Sequence, residues 1–312
     1  MGALRLRSVL ALQVLAVLFG TISAFAQDRP VSGTSLRSIN IESETDATVW
    51  IDGIRYGKTD KTGILDIKTL APGSHTLRLR ADGFKEKTQP LTAVQKGIVK
   101  IPLVKTTDEA ELAFQEAERL AGADRDKAVA AYQKAIKLRP TYSEAYLSLA
   151  RIQSDAGNFD DAQKAVAAAR RLRPGSAEAS AIQGRIYKDN GEETKAIAAF
   201  KRAITEGKGF QPEAYAGLGL LYKEKAEGSS GDFQAENDNY DEAAKNLKMA
   251  IKQLAGAPDS IVIYQLLGLI YERQQKAKDA IAVYEEFLRL FPNSVEATAV
   301  QSFIVQLKKD NP

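Results

Sequence analysis

The side chains equipped for covalent or metal chemistry are few and widely separated. His75 is the single imidazole among 312 residues and cysteine is absent. The pairings that activate a nucleophile, cysteine with histidine or serine with histidine and aspartate, therefore lack members. The same count removes disulfides and thiolate metal ligands. A glycine-rich phosphate loop is missing from the sequence as well. Asp232, Glu236, Asp238 and Asp241 cluster, but their spacing departs from the calcium-loop template and lacks its central glycine. No cofactor, metal or enzymatic activity is expected, and most of the remaining carboxylates read as solvated surface. Trp50 is the one indole and alternates to the face opposite Val49 and Ile51, where a sugar ring could stack. The plainer role for Trp50 is to cover the second face of its sheet or to touch the helices that follow.

Charge gives little direction towards a partner. Arg5 and Arg7 lie in an acid-free start, and without them 41 Lys and Arg face 40 Asp and Glu. That balance argues against nucleic acid or a membrane surface, both of which need basic residues gathered on one face. Residues 1–26 read as a secretory signal peptide: a basic start, an apolar run from Val9 to Phe19, and small residues at Ala24 and Ala26. An uncleaved anchor is the alternative, since Val9 to Ala26 is nearly long enough to cross a bilayer. Export to the periplasm or cell envelope is expected in either case, with a membrane partner only in the second.

After a linker over 27–35, the hydrophobic period over 36–104 is two. Ile39 and Ile41, Ala47, Val49 and Ile51, Leu77 and Leu79, and Val99, Ile101 and Leu103 alternate with polar residues, as half-buried strands do. Asp52-Gly53, Pro72-Gly73 and Asp82-Gly83 supply turns between them. A small antiparallel β-sandwich is expected. Three motifs resemble the PEGA domain, a β module of exported and envelope proteins: Val49-Trp50-Ile51-Asp52-Gly53, Leu70-Ala71-Pro72-Gly73-Ser74-His75 and Gly83-Phe84. The turn that names that family is replaced here by Glu44-Thr45-Asp46-Ala47, which keeps the final alanine. The resemblance implies that His75 is a hydrogen-bonded turn residue.

From Asp108 onward the period becomes helical and a longer one overlies it. Ala128, Ala162 and Ala196 stand 34 residues apart, and so do Ala135, Ala169 and Ala203. A fixed step of this length is the mark of a solenoid, in which each unit buries a face against its neighbours. Tyr146, Leu149, Ala150, Gly157, Phe159, Ala162, Ala169 and Pro174 make this region resemble the tetratricopeptide repeat family. About five repeats fill 108–294, and 295–312 reads as a capping helix. Gly184, Gly219 and Gly268 fall where the partner helix of each hairpin crosses closely, answered by Ala196, Ala243 and Ala280. Phe287 stands where a small residue is usual and needs room made for its ring. Gly219 and Ala243 are twice as far apart as Gly184 and Ala196, and the excess predicts a disordered insertion over 226–239.

In that family the first helix of each repeat lines a concave groove. Carried over by repeat position, the resemblance implies groove residues Glu144, Leu147, Arg151 and Asp155 in the second repeat. It adds Glu178, Arg185, Lys188 and Asp189 in the third, and Glu213, Leu220 and Lys223 in the fourth. Arg151 and Arg185 would fork onto a ligand carboxylate or backbone, unless Glu144, Glu178 and Asp189 offset them. The expectation is an exported, non-catalytic adaptor with an open groove for a protein or peptide and the β module as attachment or spacer. The alternative places function in the β module, docking on envelope polysaccharide through Trp50.

Overall fold

In the computed structural model, residues 36–229 and 231–311 are described; the leader and linker read over 1–35 lie outside them. Among the described residues seven strands come first: β1 (Arg37–Glu42), β2 (Thr48–Ile51), β3 (Ile54–Lys58), β4 (Ile64–Leu70), β5 (His75–Arg80), β6 (Lys87–Leu91) and β7 (Gly97–Lys100). They form a three-stranded sheet in the order β4-β1-β7 and a four-stranded sheet in the order β3-β2-β5-β6. The alternating apolar residues meet between the sheets, with Ile41, Val49, Leu77 and Leu79 fully buried. At the altered turn Asp46 takes φ 56°, a left-handed value that aspartate tolerates, and Ala47 is fully buried.

Ten of the helices that follow pair into five hairpins: α1 (Glu109–Leu120) with α2 (Arg125–Leu138), α3 (Ser143–Asp155) with α4 (Phe159–Leu172), and α5 (Ala177–Asp189) with α6 (Glu193–Glu206). They continue with α7 (Pro212–Gly228) and α8 (Phe233–Leu254), then α9 (Ile261–Arg273) and α10 (Ala277–Leu290); α11 (Ala297–Asp310) closes the end. Asp108 caps α1 by accepting from the backbone N–H of Ala110 and Glu111.

The glycines do what the spacing predicts, against larger neighbours than expected. A Cβ on Gly184 would lie 2.6 Å from the Phe200 ring, one on Gly219 2.5 Å from Leu247, and one on Gly268 2.2 Å from Tyr284. The second helix thus drives a large side chain into the notch. Phe287 is fully buried, with its ring 6.2 Å from Tyr264 and 5.5 Å from Phe291, so the room it needs is supplied by aromatics on its own hairpin and just past it.

The stretch read as a disordered insertion is mostly helix. α7 runs 17 residues and α8 runs 22, so most of the stretch belongs to the two helices. Both arms of one hairpin are lengthened together, so each gives the other a surface: Ala226 and Tyr240 are buried. Asp232 caps α8 by accepting from Ala235, and Asp241 accepts from Gln274 and Lys276. Two of the four acids in the cluster, Asp232 and Asp241, are thereby spent on capping and ion pairing.

The β module and the repeats share one core. Buried residues of both sheets join those of α7 to α11 in a single apolar cluster. The segment after β7 is fastened rather than loose, since the Lys85 N–H donates to the Val104 carbonyl and the Thr106 N–H to the Gly83 carbonyl. No helix among the described residues is long and apolar enough to cross a membrane.

Candidate binding site

The outer face of the four-stranded sheet is basic, and the pairing register explains why. Trp50 stands opposite Arg55 on β3 and Arg78 on β5, while Thr48 stands opposite Lys58 and Arg80. Two cross-strand rows therefore place four cations around one indole. On β5 the inward Leu77 and Leu79 force Arg78 and Arg80 outward.

This face is turned towards the repeats. Glu144, at the start of α3, accepts from Arg78 Nη1 at 3.0 Å and from Arg80 Nη2 at 2.9 Å. Arg80 also donates to Glu86 at 2.5 Å, and its Nε lies 3.7 Å from Glu111 of α1. Glu111 in turn accepts from Tyr142 and Gln115, and Gln115 bonds the backbone of Gly83 and Phe84. The guanidiniums stack as well, Arg78 4.2 Å from the centre of Trp50 and Arg80 4.5 Å from that of Phe114. Burial works against the charge on Arg80, which is 7 % exposed, but Glu144 and Glu86 outweigh it and raise its pKa. Burial also raises the pKa of Glu86, against the pull of Arg80.

A second contact closes the far side. Thr69 Oγ1 on β4 donates to the Gly256 carbonyl at 3.0 Å, and β3 lies against the 3-10 turn Pro258–Ser260 that leads into α9. The β module thus bridges from the first two hairpins to the junction of the fourth and fifth. The open trough expected along the repeats is corrected to a chamber roofed by the sheet, with a volume of about 630 Å³. Its floor comes from α3, α5 and α7, the first helices of three successive hairpins, and Trp50, Ile54, Leu147, Phe210 and Ile263 supply apolar wall.

Of the groove residues read from the sequence, Glu144, Leu147, Arg151, Glu178 and Glu213 converge on this chamber together with Trp50. Arg151 is not a free fork for a ligand. Both its terminal nitrogens donate to Glu213, at 2.6 and 2.7 Å, and one reaches Glu178 at 3.5 Å. Leu147 is buried at 3 % exposure and acts as core more than as contact. The other residues form a separate ladder: Arg185 with Asp155 and Asp189, Lys188 with Asp189 and Glu224, and Lys223 with Glu227. Leu220 stays 39 % exposed outside the chamber lining. Trp50 is half-buried, with Arg78 over its ring and the chamber beside it. His75 Nδ1 lies 2.6 Å from Asp52 and its Nε2 2.9 Å from the Ala71 carbonyl, which makes it a turn residue with both nitrogens engaged.

Sequence reasoning missed Arg55, Arg78, Arg80, Glu86, Glu111, Phe210 and Arg173. A signal existed for two of them: His75-Thr76-Leu77-Arg78-Leu79-Arg80 places two arginines on one strand face with no acid between them. Two of their carboxylates, Glu111 and Glu144, come from α1 and α3, too distant in sequence for any local pattern to reveal, while Glu86 lies six residues past Arg80.

Comparison with known proteins agrees with this architecture. The PEGA domain family matches residues 37–106, and tetratricopeptide repeat families match 120–142, 147–212 and 264–294. No curated protein matches the chain. Among solved structures, yeast Tom70 is similar with TM-score 0.52 and 20 % identity, over 65 % of this chain and 41 % of that one. MamA is similar with TM-score 0.42 and 25 % identity, over 62 % of this chain and 96 % of that one. A tetratricopeptide repeat protein of Thermus thermophilus is similar with TM-score 0.48 and 19 % identity, over 63 % of this chain and 99 % of that one. The chain joins a PEGA domain to an array of tetratricopeptide repeats.

Proposed function

We propose that this chain is an exported, non-catalytic interaction scaffold that receives a segment of a partner protein in the chamber between its sheet and its repeats. The observation that carries the reading is the chamber itself: a concave, partly apolar space on the inner face of three consecutive hairpins, in the size range of ordinary ligand pockets. The β module is then neither spacer nor separate attachment unit but the roof of the site. Export rests on the leader pattern of residues 1–26. The likeness to Tom70 supports the repeat fold and does not identify the partner.

The test uses the mature chain with a photo-crosslinking amino acid placed at Ala216 or Ile263 in the chamber, or at Lys134 on α2, which does not line it. Adducts with a defined protein from the chamber positions alone would support the reading. Adducts from Lys134 alone, or none at all, would overturn it. N-terminal sequencing of the same material is expected to begin at Gln27; retention of residues 1–26 would mean an anchor instead.

A further inference from the structure

The docking of the sheet shows how the acids on the inner face of these repeats are partnered within the chain. Glu144, Glu178 and Glu213 occupy the same position at the start of α3, α5 and α7. Two of the three are satisfied by guanidinium. Glu144 holds Arg78 and Arg80, and Glu213 holds both terminal nitrogens of Arg151. Glu178 has one contact, at 3.5 Å, with a nitrogen already engaged by Glu213. Its side chain is 53 % exposed into the chamber. Crowding by the protein raises its pKa, Arg151 opposes that rise, and the neighbouring Glu213 and Glu144 charges add to it.

The chamber therefore contains, in Glu178, a carboxylate whose neighbours include more acid than base; Asp259, which also lines it, is exposed and has no ion pair among the described residues. The chamber also contains two guanidiniums, Arg55 and Arg173, that no carboxylate approaches within ion-pair distance among the described residues. Both are exposed. Phe210, 44 % exposed on the same wall, offers a surface for the aliphatic stem of a long cationic side chain.

Resting on the reading above, we infer that the partner segment carries an arginine or lysine whose cation is accepted by Glu178, with acidic residues beside it that meet Arg55 and Arg173. The internal contacts of Glu144 and Glu213 are the pattern for the first half of this recognition. The second half disfavours a wholly basic tract at the wall that carries Arg55 and Arg173, where two unpaired guanidiniums would repel it.

The probe is a short blocked peptide of serine and glycine with a central arginine, an aspartate on each side and a fluorescein label, measured by anisotropy on the mature chain. A peptide with citrulline for arginine keeps the shape and removes the charge. The arginine peptide is expected to bind about tenfold more tightly than the citrulline peptide, the scale of one charge-assisted hydrogen bond. Glu178→Gln is expected to abolish that discrimination, and Glu178→Asp to retain part of it. Equal affinity for the two peptides, discrimination that survives Glu178→Gln, or no saturable binding of the arginine peptide would overturn the inference. The two claims separate in the crosslinking experiment: a chamber adduct equally abundant in Glu178→Gln sinks the cation site and leaves the scaffold reading standing.

Discussion

Replacing Glu144 by glutamine tests the link between the sheet and the repeats most directly. The amide keeps the volume and one acceptor oxygen, but it withdraws the charge and turns a donor towards one of two guanidiniums. Glu144 bonds Arg78 at 3.0 Å and Arg80 at 2.9 Å. A hydrogen bond between charged groups contributes about 1.5–3 kcal/mol, and breaking one side of a fully buried pair costs about 3–5 kcal/mol. Here Arg80 keeps Glu86 at 2.5 Å, and the Glu144 side chain is 28 % exposed. Roughly 2 kcal/mol is the expected loss once that retained partner and solvent screening are counted. For a chain of 312 residues, with an unfolding entropy of about 2.1 cal/mol/K per residue, that lowers Tm by about 3 °C. Trp50 reports whether the loss lies at this contact, because Arg78 covers its ring and no other tryptophan contributes emission. Glu144→Gln should shift that emission to the red and increase acrylamide quenching well below Tm. Raising salt to about 1 M, where the screening length is about 3 Å, should move the wild type towards the variant. Glu116→Gln, which removes an exposed pair with Arg119, should change neither readout. Unaltered Trp50 emission with a Tm within about a degree of wild type would refute the reasoning, since a Tm change of a degree corresponds to about 0.7 kcal/mol.

Gly256→Val should destabilise the chain by about 1–3 kcal/mol in urea unfolding, because Gly256 has φ +80° and a Cβ there would lie 2.8 Å from Thr69; an unchanged midpoint would show that the seam is not closed there. Gly268→Ala should cost about 1–3 kcal/mol and be partly rescued by Tyr284→Val, which removes the ring that the new methyl would meet at 2.2 Å. Glu178→Gln should be at least as stable as wild type at pH 7. A carboxylate whose pKa is raised on folding penalises the fold while ionised, so the advantage of the amide should shrink as pH falls through the raised value and vanish below the ordinary glutamate range. A variant less stable than wild type at pH 7 would show instead that Arg151 depends on Glu178.

The parts of this architecture that follow a period were legible in the chain. The step between Ala128, Ala162 and Ala196 located the hairpins, and Gly184 and Gly268 marked close approaches that the structure shows to be filled by Phe200 and Tyr284. Alternation located the strands and placed Trp50 on the face opposite Val49 and Ile51. The insertion was misread because its acids looked unable to repay their ordering. What repaid it was a second lengthened helix opposite, with Tyr240 buried at 3 % exposure. The chamber was not legible at all, since it depends on where a polar sheet face meets acids on helices far along the chain. Arg151 shows the same limit: it lines the chamber, but its bidentate partner Glu213, two hairpins away, was invisible.

The bond from Thr69 to Gly256 has a consequence for how such a chain can change over generations. Open solenoids lengthen by duplication, because a new unit asks nothing of distant ones. Here the strand that carries Thr69 must still meet the junction before α9, so inserting one more hairpin anywhere between them would carry that junction off by about the spacing of packed helices, near 10 Å. The bond would open and the roof would lose its far support. Units can be added freely only beyond this junction, and the number between Asp108 and Leu254 is held at four by the packing of the sheet against it, the Thr69–Gly256 bond included.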